Sequence, residues 1–231
     1  MLWLEVVPVA HPLRSPEQTY TYADYLTWPE GERWELIDGE PYDMTPAPST
    51  AHQIVFRGLF RQLDAWFLDK PCHLFSAPYD FRLAREGESE NQIRDVVQPD
   101  IAVVCAPDGV DEKGGRKAPD FVIEILSPST ASKDHIVKRR LYERHGVKEY
   151  WLVHPDERIV TVYHLSPEGT YGKADIFAGE DLRLEVAAFP GLTIDFTTVF
   201  PPRPNITRES PARYLAERQG EQGNDKEERH G

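Results

Sequence analysis

Three carboxylates stand in apolar runs, where a carboxylate is expensive. Glu124 lies inside Phe121-Val122-Ile123-Glu124-Ile125-Leu126, Asp100 follows Pro99 at the head of Ile101-Ala102-Val103-Val104, and Glu35 sits between Trp34 and Leu36. A lone carboxylate in such a strand costs several kcal/mol of desolvation unless a cation or donor compensates it. If the three runs are neighbouring strands, the acids converge. Oxygen ligands from several carboxylates suit a hard ion such as Mg²⁺ or Mn²⁺, which keeps some waters and takes phosphate oxygens as further ligands. The chemistry this would serve is phosphodiester hydrolysis. Taken singly, each acid also reads as an exposed strand-face residue or an arginine partner at a hairpin end; it is the three together that point to a site.

Other polar residues divide less cleanly. His52 falls in the first turn of a capped helix, where it can bond a phosphate or a hydrated ion, or serve as a cap or packing group. Asp80 and Arg82 alternate on one short strand, either lining the face of Asp100 or forming a cross-strand ion pair. His135, His145, His154 and His164 share no ligand spacing. The chain has 26 Lys+Arg against 39 Asp+Glu, a formal charge of -13. Such a charge repels polyanions at long range and excludes a generic nucleic-acid coat protein, so any phosphate contact has to be local. The segment from Lys133 to Arg144 is locally basic, which makes Lys133, Arg139 and Arg140 the candidate substrate contacts.

The elements that must carry these residues follow from pattern. TYADYLTW reads as a short helix, and RWELIDGEPYDMT as a hairpin turning at Asp38-Gly39. Thr50 and Gln53 have capping-box spacing, and Ile54, Val55, Leu59, Leu63, Trp66 and Phe67 recur near a helical period. CHLFSAP, YDFRL, PDIAVVCA and FVIEILS read as neighbouring strands of one sheet. FVIEILS, a helix ending at Gly146, and KEYWLVH then form a strand, crossover helix and strand. RIVTVYHL, a run near Tyr171 and LRLEV add antiparallel strands before the PGLTIDFTTVF segment. The expected fold is α/β with a mixed sheet, flanking helices and additional antiparallel strands.

The 231 residues suit one domain with appendages. These are expected as an extended arm over 1–19, the domain over 20–202, and a polar, disordered tail over 203–231, whose composition cannot repay its ordering entropy. The arm lacks a positive n-region and the length of a bilayer span, so it reads as neither signal nor anchor, and no membrane partner is expected. Cys72 and Cys105 are too few for a disulfide framework and form no C-x-x-C pair, which implies a reducing, cytoplasmic setting.

Several motifs in order resemble one family. They are Arg33 to Glu40, Ser49 to Gln53, Gln98-Pro99-Asp100, Val122 to Thr130, Lys138 to Tyr142 and Glu149 to Val153. Over about Tyr20 to Phe200 the chain resembles the Uma-two family of restriction-endonuclease-like proteins, a branch of the PD-(D/E)XK nuclease superfamily. The resemblance implies a restriction-endonuclease-like core in which Asp100 is the motif aspartate, Glu124 the second acid and Glu35 the acid of the first structured region. The superfamily's usual lysine position, two residues after the second acid, is Leu126 here. In the resembling family the lysine comes from the following helix, which points to Lys138, with Lys133 as the alternative. An ammonium on a long stem can support an attacking water from there. A surface Lys138 would instead pair with Asp134, contributing about 0.3–0.5 kcal/mol.

The expectation is therefore a Mg²⁺- or Mn²⁺-dependent endonuclease acting on DNA through a metal-activated water. Its catalytic set is Glu35, Asp100, Glu124 and Lys138, its metal ligands are Asp100 and Glu124, and His52, Lys133, Arg139 and Arg140 contact substrate. A homodimer would suit cleavage of both strands of a symmetric duplex. The rival, favoured by the acidic charge, is a catalytically inactive nuclease-fold scaffold or regulatory protein-binding module.

Overall fold

Helix α1 (Tyr22–Tyr25) is capped by Thr21: its hydroxyl accepts from the Asp24 N–H while the Asp24 carboxylate accepts from the Thr21 N–H. The computed structural model describes residues 18–29, 31–44, 47–127, 132–179 and 181–201. The expected tail, and all of the expected arm except residues 18 and 19, lie outside them. Strands β1 (Trp34–Ile37) and β2 (Glu40–Asp43) form the expected hairpin. Its two turn residues, Asp38 and Gly39, have φ of 54° and 80°, the left-handed pair that a tight hairpin requires and that Asp-Gly tolerates.

Helix α2 (Thr50–Phe67) starts one residue earlier than its capping-box spacing suggested, because the Ser49 side chain is the one that accepts the His52 N–H. Short strands follow: β3 (His73–Ser76), β4 (Phe81–Arg82), β5 (Val96–Val97), β6 (Ile101–Val104), β7 (Val110–Asp111), β8 (Gly114–Gly115) and β9 (Phe121–Ile125). A π-helix (Lys133–Lys138) then runs directly into α3 (Arg139–Arg144), which ends before Gly146 at φ 77°. The rest is β10 (Glu149–His154), β11 (Ile159–His164), β12 (Asp175–Ala178), β13 (Arg183–Glu185), β14 (Thr193–Asp195) and a 3₁₀ turn at Phe196–Thr198. Around Tyr171, among the described residues, only a single bridge, to Leu165, is formed.

The strands divide between a central sheet, in the order β12-β11-β10-β9-β6-β3, a second sheet, β2-β1-β5-β4-β8-β7, and the ribbon β13-β14. The four apolar runs expected side by side are thus split: β3, β6 and β9 share the central sheet, while β4 lies in the other. The parallel pair β9 and β10, joined through the helical crossover, matches expectation; β6, β11 and β12 run antiparallel to their neighbours.

Alternation along the central strands sorts their side chains between two cores. Ile101, Val103, Phe121, Ile123, Ile125, Trp151 and Val153 face Val55, Leu59, Leu63 and Phe67 of α2. The intervening Ala102, Val104, Val122, Tyr150 and Leu152 face the second sheet, through Ile37, Phe81 and Val97, and α3, through Leu141 and Tyr142. Burial on both faces explains why β9 is almost continuously apolar.

One correction concerns the cysteines. The antiparallel register of β3 and β6 pairs His73 with Val104, so the next step outward brings Cys72 beside Cys105, and the two are joined in a disulfide. With both thiols joined, the argument from cysteine count to a reducing setting loses its basis. Among the described residues, no helix is long and apolar enough to cross a membrane.

Candidate active site

The register that pairs Ile101 with Ile123 puts Asp100 opposite Glu124 one step further along β6 and β9. Directly opposed residues of an antiparallel pair project from the same face. That face looks toward the second sheet, where Glu35 projects from β1 on the same side as the buried Ile37. Two layers therefore deliver the three acids to one region, with the helical crossover as the third wall.

Lys138 is the hub. Its Nζ lies 2.7 Å from Glu35 Oε1, 2.8 Å from Glu124 Oε1 and 3.6 Å from Asp134 Oδ1, and its side chain is only 3% exposed. Lys133 Nζ lies 2.7 Å from the other oxygen of Glu35. Residues five apart point in different directions on an α-helix, but the i→i+5 hydrogen bonds of a π-helix stack them. One such bond runs from the Arg139 N–H to the Asp134 carbonyl. The π-helical turn thus puts both candidate lysines on Glu35, where the sequence reading had to choose between them. Tyr142, one turn further on, donates its hydroxyl to Glu124 Oε1 at 2.9 Å.

Asp100 is held from the other side. Its Oδ2 accepts the Ile125 N–H at 2.7 Å and lies 3.1 Å from His52 Nε2. His52, expected to contact substrate, meets Asp100 through Nε2, while its Nδ1 is buried with no hydrogen-bond partner among the described residues. Gln98 braces the floor: its N–H donates to Glu35 Oε1 at 3.1 Å, its amide NH₂ to Asp80 Oδ1 at 2.8 Å, and its amide oxygen accepts from Arg33. Asp80 also accepts from the Tyr25 hydroxyl at 3.0 Å, so it belongs to this network and not to an ion pair with Arg82, which is buried against Asp111.

The charges are strongly perturbed. Burial opposes ionisation of Glu35, but Lys138 and Lys133 outweigh it and hold the carboxyl below its ordinary range. Burial pushes Glu124 up to about 8; Lys138 opposes this, while Asp134, Asp100 and Glu35 add to it. Burial alone would lower Lys138, yet Glu124, Glu35 and Asp134 raise it well above its ordinary value.

A cleft of about 310 Å³ opens onto this cluster, lined among others by Arg33, His52, Asp100, Glu124, Lys133 and Lys138. Arg139 and Arg140 do not line it. Arg139 lies 3.5 Å from Glu143 and stacks over Tyr163, Arg140 is exposed, and Arg144 is tied to Asp38 and Asp95. Much of the helix's basic charge is thus spent within the fold. Among the remaining histidines, His145 pairs with Asp95, and the Nε2 atoms of His135 and His154 are 3.3 Å apart. Glu149, a further buried acid, accepts from the Trp151 indole and the Ala188 N–H, which accounts for it structurally.

Among the described residues, no three His, Cys, Asp or Glu side chains form a ready metal cage. Mg²⁺ does not need one, since it commonly binds one or two carboxylates and fills its octahedron with waters and substrate oxygens. Asp100 and Glu124 fit that pattern. They stand side by side on the cleft, and Asp100 Oδ1 and Glu124 Oε2 accept no hydrogen bond from the described residues. Glu35 does not fit as a ligand: it is fully buried, does not line the cleft, and has both oxygens engaged by lysines. Arg33, Gln98 and Tyr142 were absent from the expected site. Tyr142, four residues beyond Lys138, offered a spacing signal; Gln98 offered only its nearness to Asp100.

Known proteins share the fold that carries this cluster. A protein of Synechocystis sp. (strain ATCC 27184 / PCC 6803 / Kazusa), named "Uncharacterized protein slr1290", is 27% identical over 185 residues, 77% of this chain and 90% of that one. The crystal structure of "a putative nuclease belonging to DUF820" from Anabaena variabilis ATCC 29413 superposes with a TM-score of 0.62, at 22% identity, over 78% of this chain and 97% of that one. The likeness shows a shared mixed α/β, restriction-endonuclease-like fold. The model of the Uma2 family, described as "Putative restriction endonuclease", matches residues 22–197. With that match spanning the fold and its acid cluster, the chain belongs to the Uma2 family.

Proposed function

We propose that this protein is a Mg²⁺- or Mn²⁺-dependent endonuclease that hydrolyses DNA phosphodiester bonds. The observation that carries the reading is the cross-strand pair Asp100 and Glu124 on the cleft, with Lys138 reaching the Glu124 carboxylate at 2.8 Å. Asp100 and Glu124 would hold the ion. When bound, such an ion neutralises charge on phosphoryl oxygens and lowers the pKa of a water.

The chain's own residues supply the rest. His52 and the Ile125 N–H fix the Asp100 carboxylate, leaving its other oxygen toward the cleft side. Tyr142 and Lys138 fix one oxygen of Glu124. Glu35 acts behind the cleft: paired with both Lys133 and Lys138, it holds the two ammonium groups in place beside the reacting phosphate. Lys133, 14% exposed, is the more accessible of the two and is the substrate-facing one. Arg140, exposed on the adjoining helix, and Arg139 beside it would contact flanking phosphates. Cutting both strands of a symmetric duplex would be served by a two-fold pair of such sites.

The test is incubation of plasmid, linear duplex and single-stranded DNA, with RNA alongside, in Mg²⁺ or Mn²⁺ and in EDTA. Metal-dependent cleavage by the wild type, lost in Asp100→Asn, is the expected outcome. Cleavage that persists in EDTA, or in Asp100→Asn, would remove the metal mechanism. No cleavage of any substrate would favour the inactive scaffold, the reading suited to the charge of -13.

A further inference from the structure

Every other cationic side chain on the cleft is already spent on an acid. Lys133 is on Glu35, Lys138 is shared by Glu35, Glu124 and Asp134, and the imidazole of His52 is on Asp100. Arg33 is the exception. It lines the same cleft, yet its guanidinium makes polar contact only with the neutral amide of Gln98, through Nε at 3.2 Å and Nη2 at 3.1 Å to Oε1. Among the described residues, no carboxylate lies within ion-pair distance of it.

The arrangement is also rigid. Gln98 is only 7% exposed, and its amide NH₂ is committed to Asp80, so its oxygen must face Arg33. Arg33 precedes β1 and stands two residues from Glu35, on the same side of the extended chain. Its carbonyl accepts the Met44 N–H at 3.0 Å, which continues the hairpin ladder and pins the backbone. Nε and one Nη2 hydrogen are occupied, leaving Nη1 and the remaining Nη2 hydrogen as a fork of donors. A planar donor fork carrying an uncompensated positive charge matches the paired non-bridging oxygens of a phosphodiester.

We infer that Arg33 is a phosphate-binding residue of this cleft, gripping a phosphodiester group of the substrate strand while Asp100, Glu124 and Lys138 act on the scissile bond. The inference rests on the nuclease reading above and names a substrate contact that neither the charged helix nor the acid cluster provides. Gln98 is then a positioning residue, since it orients the fork without touching substrate.

The experiment is steady-state cleavage of a short DNA by the full chain in Mg²⁺ across a series of NaCl concentrations, for wild type, Arg33→Gln and Arg33→Lys, with melting curves of all three. Arg33→Gln should raise KM about tenfold or more with kcat within a few-fold, and melt as the wild type does. Its log(kcat/KM) should fall less steeply with log salt, by about 0.9 for a duplex contact or about 0.7 for a single strand, as expected when one phosphate contact is lost. Arg33→Lys should keep the wild-type salt slope but an intermediate KM, because an ammonium restores the charge without the fork. Should Arg33→Gln fail to fold, Arg33→Lys decides alone: a wild-type KM overturns the inference. Unchanged KM and slope in Arg33→Gln, with an active wild type, overturns it and leaves the nuclease reading standing. So does a fall in kcat at constant KM, which would mean that Arg33 acts only through Gln98 and Glu35. A wild type that cleaves no DNA removes the nuclease reading, and this inference with it.

Discussion

Replacing Lys138 by methionine removes a buried charge while keeping most of its volume, and the structure sets the size of the effect. The Lys138 ammonium sits between Glu35, 0% exposed in its side chain, and Glu124, at 5%. Breaking a buried ion pair by deleting one partner costs about 3–5 kcal/mol, because the other charge is left uncompensated. Two features limit the loss here. Lys133 still neutralises Glu35, and Glu124, pushed up to about 8 by burial, is already largely protonated at neutral pH, so the loss of Lys138 bares little charge there. The lower end, about 3 kcal/mol, is therefore expected. For a domain of this size each kcal/mol moves the melting temperature by about 2–4 °C, so Lys138→Met should melt roughly 6–12 °C below wild type. Lys133→Met, which removes one contact from a partly exposed side chain, should lose about 1 kcal/mol. A surface Lys138 paired with Asp134 would contribute only about 0.3–0.5 kcal/mol, and its replacement would leave the melting point nearly unchanged. Thermal and urea unfolding measure the difference, and cleavage assayed well below both melting points should fall on the order of 10²-fold or more in Lys138→Met. A Lys138→Met melting point within about 2 °C of wild type, or a larger loss in Lys133→Met, would refute the reasoning, because neither is compatible with a desolvated hub.

Two further outcomes follow from neighbouring contacts. Tyr142→Phe deletes the buried hydroxyl that donates to Glu124 Oε1, and should destabilise the protein by about 1.5–3 kcal/mol in urea unfolding while reducing cleavage; a variant as stable as wild type would show that this bond contributes nothing. Asp95 is pushed up by burial, but the His145 ring, the Asp38 N–H and Arg144 outweigh this and hold its carboxyl below the ordinary 3.8. An acid with a depressed folded pKa stabilises the fold above its unfolded pKa, and that contribution is lost as pH falls through the folded value. Unfolding curves from pH 7 downward should therefore show wild type losing stability below about pH 4, with Asp95→Asn less stable at pH 7 and shallower in the acid range. Parallel curves would exclude Asp95 as a source of the acid sensitivity.

The comparison with the known family was foreshadowed by local patterns that survive in any context. Asp38-Gly39 dictated a tight hairpin because only such residues take two left-handed backbone positions cheaply. The near-helical period through Val55, Leu59 and Leu63 dictated α2, since burying that stripe needs a helix. Acids inside apolar runs marked the site, because burial makes an uncompensated carboxylate too costly to be accidental.

Tertiary structure decided what those acids do. The strand register puts Asp100 opposite Glu124 on the cleft, while Glu35 arrives from a different sheet with both oxygens already taken by lysines. No spacing rule distinguishes these fates, because a strand's face depends on its partners and not on its own residues. The π-helical turn was equally invisible: Lys133 and Lys138 look like residues on different sides of an α-helix, and the wider turn brings both ammonium groups onto one buried carboxylate. The split of four β-rich runs between two sheets, the pairing of Cys72 with Cys105, and the diversion of Arg144 to Asp38 and Asp95 belong to the same class. Each depends on contacts between residues far apart in the chain, where the energy of a charge or a thiol is set by whatever the fold brings beside it.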